Sequence, residues 1–485
     1  MTKGNIVNSF TWKILERFAT SIISFTFNIV LARILMPSEF GVYAILLVLI
    51  NLSMIFIQGG FNTAVIQKEK PLKKDYDTIF YFSFLVSLLL YILFYFLSPL
   101  FEIFYDMKGL SLYIRTLNLV LFFGAFNSIQ VAFLTKKLMF KRMFFISFSS
   151  MIISGFFAII LAIEGYGIWA LIVQQIVFYA VNVIISFIFV PWYPSNEFSY
   201  KSLKSLFKFG SNVFASNIIN GFFLQIRTLL IGKIYTTSDL AHYNRGKQFP
   251  EFILNSLNSS IQSVMLVVYS ERQRDYDAVK KIVRKSIRYL SYFIFPVMLG
   301  LYSIANPLII ILLTDKWISS VKILQVYSLV YMITPILATN NQALKGIGLS
   351  STVLKLDLIR KLFEIIILFI TIYSGLYYIA FGALIVNFVS LLINMGPNKK
   401  YLSYTPKELF YDIIPSLTIS SIMFGVIQVP TVYIDNIYYL ITTQIIIGAI
   451  TYIMFSILLK NEIFFETFNN IRQYLNKLKR KRKIK

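Results

Sequence analysis

Residues 78–99 read TIFYFSFLVSLLLYILFYFLSP, a run with no charged side chain. At 1.5 Å per residue it makes a helix of about 33 Å, enough to cross roughly 30 Å of hydrocarbon. It is too long and too continuous for a barrel strand, which alternates over about ten residues. Backbone in lipid must satisfy its own hydrogen bonds, so the run predicts a transmembrane helix. The signal recurs along the chain. Fourteen spans are expected, at about 11–34, 40–57, 78–99, 112–134, 143–163, 168–190, 207–232, 248–269, 289–312, 322–344, 358–374, 376–396, 409–428 and 436–459. Composition agrees: of 485 residues, 57% are hydrophobic and 14% charged, where a soluble protein has about 25% charged. Mean hydropathy is +0.70.

The charges set the orientation. The net charge is +24, and the basic residues cluster in short segments at 68–74, 136–142, 201–208, 272–288, 345–361 and 399–407, and in the tail from Lys477 to Lys485. These clusters fall at every second connection between spans. With the N-terminus inside, cytoplasmic segments hold about 35 of the Lys and Arg and periplasmic ones about 6. Both termini are therefore expected in the cytoplasm, and the basic tail is expected to meet anionic membrane lipids rather than nucleic acid. The polar start, residues 1–9, leads into the first span with no small-residue cleavage site, so no cleaved signal peptide is expected.

A repeat appears at an offset of 200. Arg33-Ile34 answers to Lys233-Ile234, and Ser38-Glu39-Phe40-Gly41-x-Tyr43 to Ser238-Asp239-Leu240-Ala241-x-Tyr243. Asp75-Tyr76-Asp77 returns unchanged as Asp275-Tyr276-Asp277. Equivalent segments on the same side require an even number of intervening spans, and the count is six. The reading is an all-α integral membrane protein with two parallel six-helix repeats and two further helices. Its parts are residues 1–200 (spans 1–6), 201–400 (spans 7–12), 401–460 (spans 13 and 14) and a basic cytoplasmic tail at 461–485. Parallel repeats are a transporter architecture, with the substrate site expected between the halves.

Catalytic signatures are absent. There is no cysteine, and there is one histidine, His242, expected on an outer surface loop at about 233–247. No G-x-x-x-x-G-K-[ST], H-E-x-x-H or G-x-S-x-G occurs. No catalytic residue, metal site or cofactor is expected. The informative residues are charges inside the spans, since a charge in lipid costs several kcal/mol unless it faces a cavity or a partner. Arg17, Arg33, Arg115 and Arg227 are the cations, with Lys13 beside them. Those near span ends can also snorkel to the headgroups. Polar stripes accompany them: Arg17, Ser21, Ser24 and Asn28; Asn220 and Arg227; and Asn255, Asn258 and Gln262. Such stripes mark either a watery path or hydrogen bonding between helices. Arg227, Arg17, Arg33, Arg115, Asn220, Asn255, Asn258 and Gln262 are the expected substrate contacts. Guanidinium forks suit a phosphate or carboxylate. Glu16 and Glu364 are candidates for ion coupling, or else structural ion-pair partners.

At this point the chain resembles the polysaccharide transporters of the multidrug/oligosaccharidyl-lipid/polysaccharide exporter superfamily, in the branch of the colanic-acid and teichuronic-acid exporters. Residues 31–41, LARILMPSEFG, are similar to that branch's R-x-L-x-P-x-x-[FY]-G signature, followed by Gly59-Gly60-Phe61 and Ala64-Val65-Ile66-Gln67. Residues 240–245, LAHYNR, resemble its L-G-Y-Y-N-R element, with Ala241 and His242 as departures. Asp315-Lys316-Trp317 resembles its G-x-x-W with the glycine replaced, and Asn341 and Lys345-Gly346-Ile347-Gly348 fit the later half. The likeness covers about residues 10–400. It implies two lobes like those of the multidrug exporters, a cationic cavity and alternating access. It also implies flipping of an undecaprenyl-pyrophosphate-linked oligosaccharide across the cytoplasmic (inner) membrane, for O-antigen, capsule or exopolysaccharide. A polysaccharide polymerase and a chain-length regulator are the implied partners. Two other readings stand beside it: a membrane-embedded polysaccharide polymerase or ligase, and a drug exporter of the same superfamily.

Overall fold

The computed structural model describes residues 3–483. The side chains of residues 3–10, 208, 209, 212, 255–264, 266, 267, 471 and 474–483 lie outside that description. Among the described residues the chain is helical throughout, with no strand. The helices are α1 (Lys3–Ile34), α2 (Pro37–Gln58), α3 (Phe61–Gln67), α4 (Lys73–Tyr105), α5 (Leu110–Leu117), α6 (Val120–Lys136), α7 (Phe140–Ile163), α8 (Ile168–Phe189), α9 (Tyr200–Ile234), α10 (Thr237–Glu271), α11 (Tyr276–Ser303), α12 (Ala305–Leu313), α13 (Ser320–Gly346), α14 (Ser350–Thr371), α15 (Leu376–Leu402), α16 (Pro406–Gln428), α17 (Pro430–Tyr433), α18 (Ile437–Leu458) and α19 (Glu462–Lys483).

Among the described residues eleven helices or helix pairs are long and apolar enough to cross a membrane, α5 with α6 and α16 with α17 each counting as one span. α11 and α12, bent by 69° at their junction, make a twelfth. Fourteen is reached only if α10 and α14 also cross. α14 is highly charged, with Lys355, Asp357, Arg360, Lys361 and Glu364 in 22 residues. α10 is charged in its first half, whereas its residues 252–269 carry no charged side chain.

The helices run well beyond the apolar runs. The expected outer loop at 233–247 is not a loop: α9 ends at Ile234 and α10 starts at Thr237. Much of the basic segment at 272–288 is likewise the start of α11. A helix continues past the hydrocarbon wherever its polar residues still favour it, and hydropathy does not register this.

The chain packs as two compact units, Met1–Ala241 and His242–Lys485. In the first unit α7 lies against α8 and α1, and α9 packs on α2, α3 and α4. The buried face of α7 is Ser150, Ser154, Gly155, Ala158 and Ala162. Small residues at helical spacing let backbones approach in lipid, where helix association relies on close packing. An aromatic cluster built on Phe61, Tyr76, Phe80 and Trp192 closes one end. In the second unit α11 is the central strut, packed on α16 and α13, with α15 against α13.

Helix starts repeat at the offset of 200. In α2, Glu39 reaches back so that its Oε2 accepts from the Met36 N–H at 2.7 Å. In α10, Asp239 takes that role, accepting from the Thr236 N–H at 3.3 Å and its hydroxyl at 2.7 Å. Both acidic residues satisfy an orphan N–H and sit at the positive end of a helix dipole. α1 and α9 end at Ile34 and Ile234.

Candidate functional site

Most of the charged candidates lie in the first unit. α1 and α9 are its least buried spans, each with 6% of its apolar window buried, against 22–61% for the other nine. Arg17 and Arg33 are both exposed on α1. Sixteen residues separate them, about 24 Å along the helix and about 160° around it, so they cannot clasp one phosphate together. Asn220 and Arg227 do share a face of α9, seven residues apart. Asn220 is exposed, with its Nδ2 3.4 Å from Ser216 Oγ. Arg227 is half-buried.

Arg115 is drawn into the corner between α4 and α5. Its Nε donates to Ser98 Oγ at 2.9 Å and to the Tyr95 carbonyl at 3.3 Å, and its guanidinium lies 4.3 Å from the Tyr95 ring centre. Glu102 closes the same corner by accepting from the Gly109 and Ser111 N–H groups. Glu16 pairs with Lys13 at 2.7 Å, one turn away on α1. Glu364 is half-buried on α14 in the second unit. The side chains of Asn255, Asn258 and Gln262 lie outside the described residues.

His242 is a correction. It is 7% exposed and sits on a helix, with Nδ1 3.3 Å from Ser320 Oγ and its ring edge-on to Trp317 at 5.6 Å. Arg245, one turn on, stacks 5.1 Å from the same indole and donates to Gln248 Oε1 at 2.7 Å. The loop reading failed because residues 237–247 are the first turns of α10, which starts after a break of only two residues from α9. The motif-like stretches at 240–245 and 315–317 thus meet, and their contact is packing.

Two polar centres in the second unit were not singled out from sequence. Arg360 on α14 donates its Nη2 to Asn387 Oδ1 at 3.0 Å, and Asn387 Nδ2 reaches the Val330 carbonyl at 3.2 Å and Thr334 Oγ1 at 3.1 Å. The second is an ionic ladder. On α11, Lys280, Arg284 and Arg288 recur every fourth residue and face Glu408 and Asp412 on α16, also four apart. Matched i, i+4 series of opposite sign were the available signal. Lys285 and Arg288 extend the ladder to Glu466 and Glu462 of α19. Beside it, burial and then the charge of Asp412 push the Tyr404 phenol above its usual pKa, so it donates to that carboxylate.

The second unit also holds an apolar recess of about 480 Å³, lined by Val297, Gly300 and Leu301 of α11 and by Ile445, Gly448 and Ile453 of α18. Among the described residues no group of three or more His, Cys, Asp or Glu is placed to hold a metal ion.

These helices make a multi-pass membrane protein with the fold of a lipid exporter. The structure aligns with the lipid II flippase MurJ in its inward closed conformation at a TM-score of 0.76, covering 93% of this chain and 99% of that one at 18% identity. Residues 30–322 match the family described as polysaccharide biosynthesis protein, and the chain belongs to that family. It is 23% identical over 299 residues to the teichuronic acid biosynthesis protein TuaB of Bacillus subtilis (strain 168), covering 61% of this chain and 62% of that relative's length. It is also 23% identical over 350 residues to the succinoglycan biosynthesis transport protein ExoT of Rhizobium meliloti (strain 1021), covering 72% of this chain and 71% of the relative.

Proposed function

We propose that this protein flips an undecaprenyl-pyrophosphate-linked oligosaccharide across the cytoplasmic membrane by alternating access, supplying O-antigen, capsule or exopolysaccharide synthesis. The observation that carries the reading is the match of residues 30–322 to a polysaccharide biosynthesis family. The fold supports it, being that of a flippase for another lipid-linked sugar. The apolar recess beside α11 and α18 offers a fitting wall for an isoprenoid chain.

The substrate's anionic part is assigned to Arg227, half-buried on α9, with Arg17, Arg33 and Arg115 acting at other points of the path. Asn220 and the stripe Asn255, Asn258 and Gln262 contact sugar hydroxyls. Glu364 and Glu16 are the candidates for coupling to an ion gradient. The chain crosses fourteen times with both termini in the cytoplasm, as two lobes, 1–200 and 201–400, followed by two spans and a basic tail held to anionic lipid. A polymerase and a chain-length regulator take the product onward.

The test is reconstitution. Purified protein in sealed vesicles is given a prenyl-pyrophosphate-linked oligosaccharide on one leaflet, and its arrival on the other is read by a lectin. Transfer without ATP, abolished when the lipid pyrophosphate is replaced by a neutral linkage, is the expected result. Strict dependence on ATP hydrolysis by the protein alone, or no transfer, would overturn the reading.

A further inference from the structure

The ends of α4 and α6 enclose a recess of about 560 Å³ in the first unit, away from every residue assigned to transport above. Its rim is cationic. Lys70, Lys73, Lys136 and Lys137 line it against a single carboxylate, Glu69. Lys136 is already committed: its Nζ donates to the Ile66 and Lys68 carbonyls at 2.7 and 2.6 Å, closing the end of α3. Lys70, Lys73 and Lys137 are exposed, and among the described residues they form no ion pair.

The floor is aromatic and rigid. Trp192 is 3% exposed, with its Nε1 donating to Asp77 Oδ1 at 3.0 Å. Tyr76 is 4% exposed and packs edge-on to Phe133 at 5.5 Å. Tyr76 lines the recess, and its Oη is itself buried.

The height of the recess identifies the ligand. Lys73 stands five residues before the uncharged run 78–99 and Lys136 follows the apolar run expected at 112–134, which puts the recess beside the polar ends of two spans, where lipid headgroups lie. Lysines with aromatic residues at that level are what a phosphate-bearing lipid meets: point charges for the phosphate and an apolar floor for the glycerol and chain roots.

We propose that this recess is a binding site for the phosphate of an anionic phospholipid, held by Lys70, Lys73 and Lys137 over Tyr76 and Trp192, and separate from the transport path. The site places a lipid of the membrane surface against the joint between α3, α4 and α6.

Trp192 supplies the readout. The full-length protein is placed in nanodiscs of phosphatidylcholine with rising fractions of phosphatidylglycerol, either lipid being brominated near the headgroup. Quenching of Trp192 is taken by difference against Trp192→Phe, and native mass spectrometry counts retained phosphatidylglycerol independently of that variant. Half-quenching is expected at about tenfold lower mole fraction for the anionic lipid. Lys70→Gln, Lys73→Gln and Lys137→Gln together should erase the preference and the retained lipid. Millimolar inorganic phosphate should leave the quenching unchanged. Equal quenching by both lipids, or a triple variant that still retains phosphatidylglycerol, would overturn the proposal. So would displacement by inorganic phosphate, which would make the site one for a soluble anion.

Discussion

Asp412 on α16 is wholly buried, yet its carboxylate is the hub of the second unit. Arg284 donates Nε and Nη2 to it at 2.9 and 3.0 Å, Arg288 donates Nε at 2.7 Å, and the Tyr404 hydroxyl completes the set at 3.0 Å. Asp412→Asn keeps the shape, removes the charge and turns one acceptor into a donor facing a guanidinium. Hydrogen bonds to charged groups contribute about 1.5–3 kcal/mol each, but four of them do not add. The arginines are 29% and 37% exposed, so water recovers part of their solvation. Breaking a buried pair costs about 3–5 kcal/mol, and the exposed rim lowers that to about 2–4 kcal/mol here. For a unit of this size the apparent Tm should fall on the order of 5–10 °C. Fluorescence-detected size exclusion after graded heating in detergent measures it. Arg284→Met, Arg288→Met and Asp412→Leu combined should recover much of the loss, because no charge is then stranded. An Asp412→Asn protein melting within about 1 °C of the parent would refute the reasoning.

Arg227→Ala should reach the membrane at normal abundance while substrate affinity falls by about 2–5 kcal/mol. Lysine should restore only part, and disappearance of the variant from the membrane or full activity would count against the assignment. Gly41→Ala should prevent folding of the first unit, since a Cβ there would stand 1.7 Å from the Thr237 carbonyl oxygen; protein at parental level would contradict this. The chain has no cysteine, so Asp277→Cys and Glu164→Cys give clean topology reporters. Only position 164 should react with an impermeant thiol reagent applied to intact cells. Glu466 lies outside the spans, and its hydrogen bond from Lys285 holds the carboxyl below its ordinary pKa. Its small contribution should be complete at neutral pH and fade as acidification below about pH 4.5 protonates it, so parent and Glu466→Gln melting curves should converge in acid and differ slightly at pH 7.

The membrane architecture was legible because a single physical requirement, an apolar helix long enough to cross, writes itself into consecutive residues. Helix ends were not, because nothing in hydropathy tells a loop from a helix that has left the bilayer. That is how His242 became a surface residue on paper and a buried neighbour of Trp317 in the structure. The ladder on α11 shows the same limit differently. Arg284 and Arg288 were read as one cytoplasmic cluster, yet their partners lie more than a hundred positions away on α16, where only the matching four-residue spacing hinted at them.

The repeated motifs raise a sharper point about what a signature records. Glu39 and Asp239 stand at one place in the repeat and each caps a helix start. The second repeated element behaves alike at first sight. Asp75 accepts from the Leu72 N–H at 2.8 Å while pairing with Lys68, and Asp275 accepts from the Ala278 N–H at 2.9 Å. Yet the registers differ: Asp75 lies three residues past the first cap, whereas Asp275 is itself the cap of α11. In both places an aspartate meets a helix N-terminus, at different registers. The residues that identify this chain are thus largely those that start, stop and cross its helices: Gly41 where α2 meets the Thr237 backbone, Gly60 at a φ of +73° between α2 and α3, and Trp317 beneath Arg245. The residues proposed to meet the glycan, such as Arg227 and Asn220, lie instead on α9, a span of which little is buried. Under that proposal they can vary with the sugar while the scaffold stays the same.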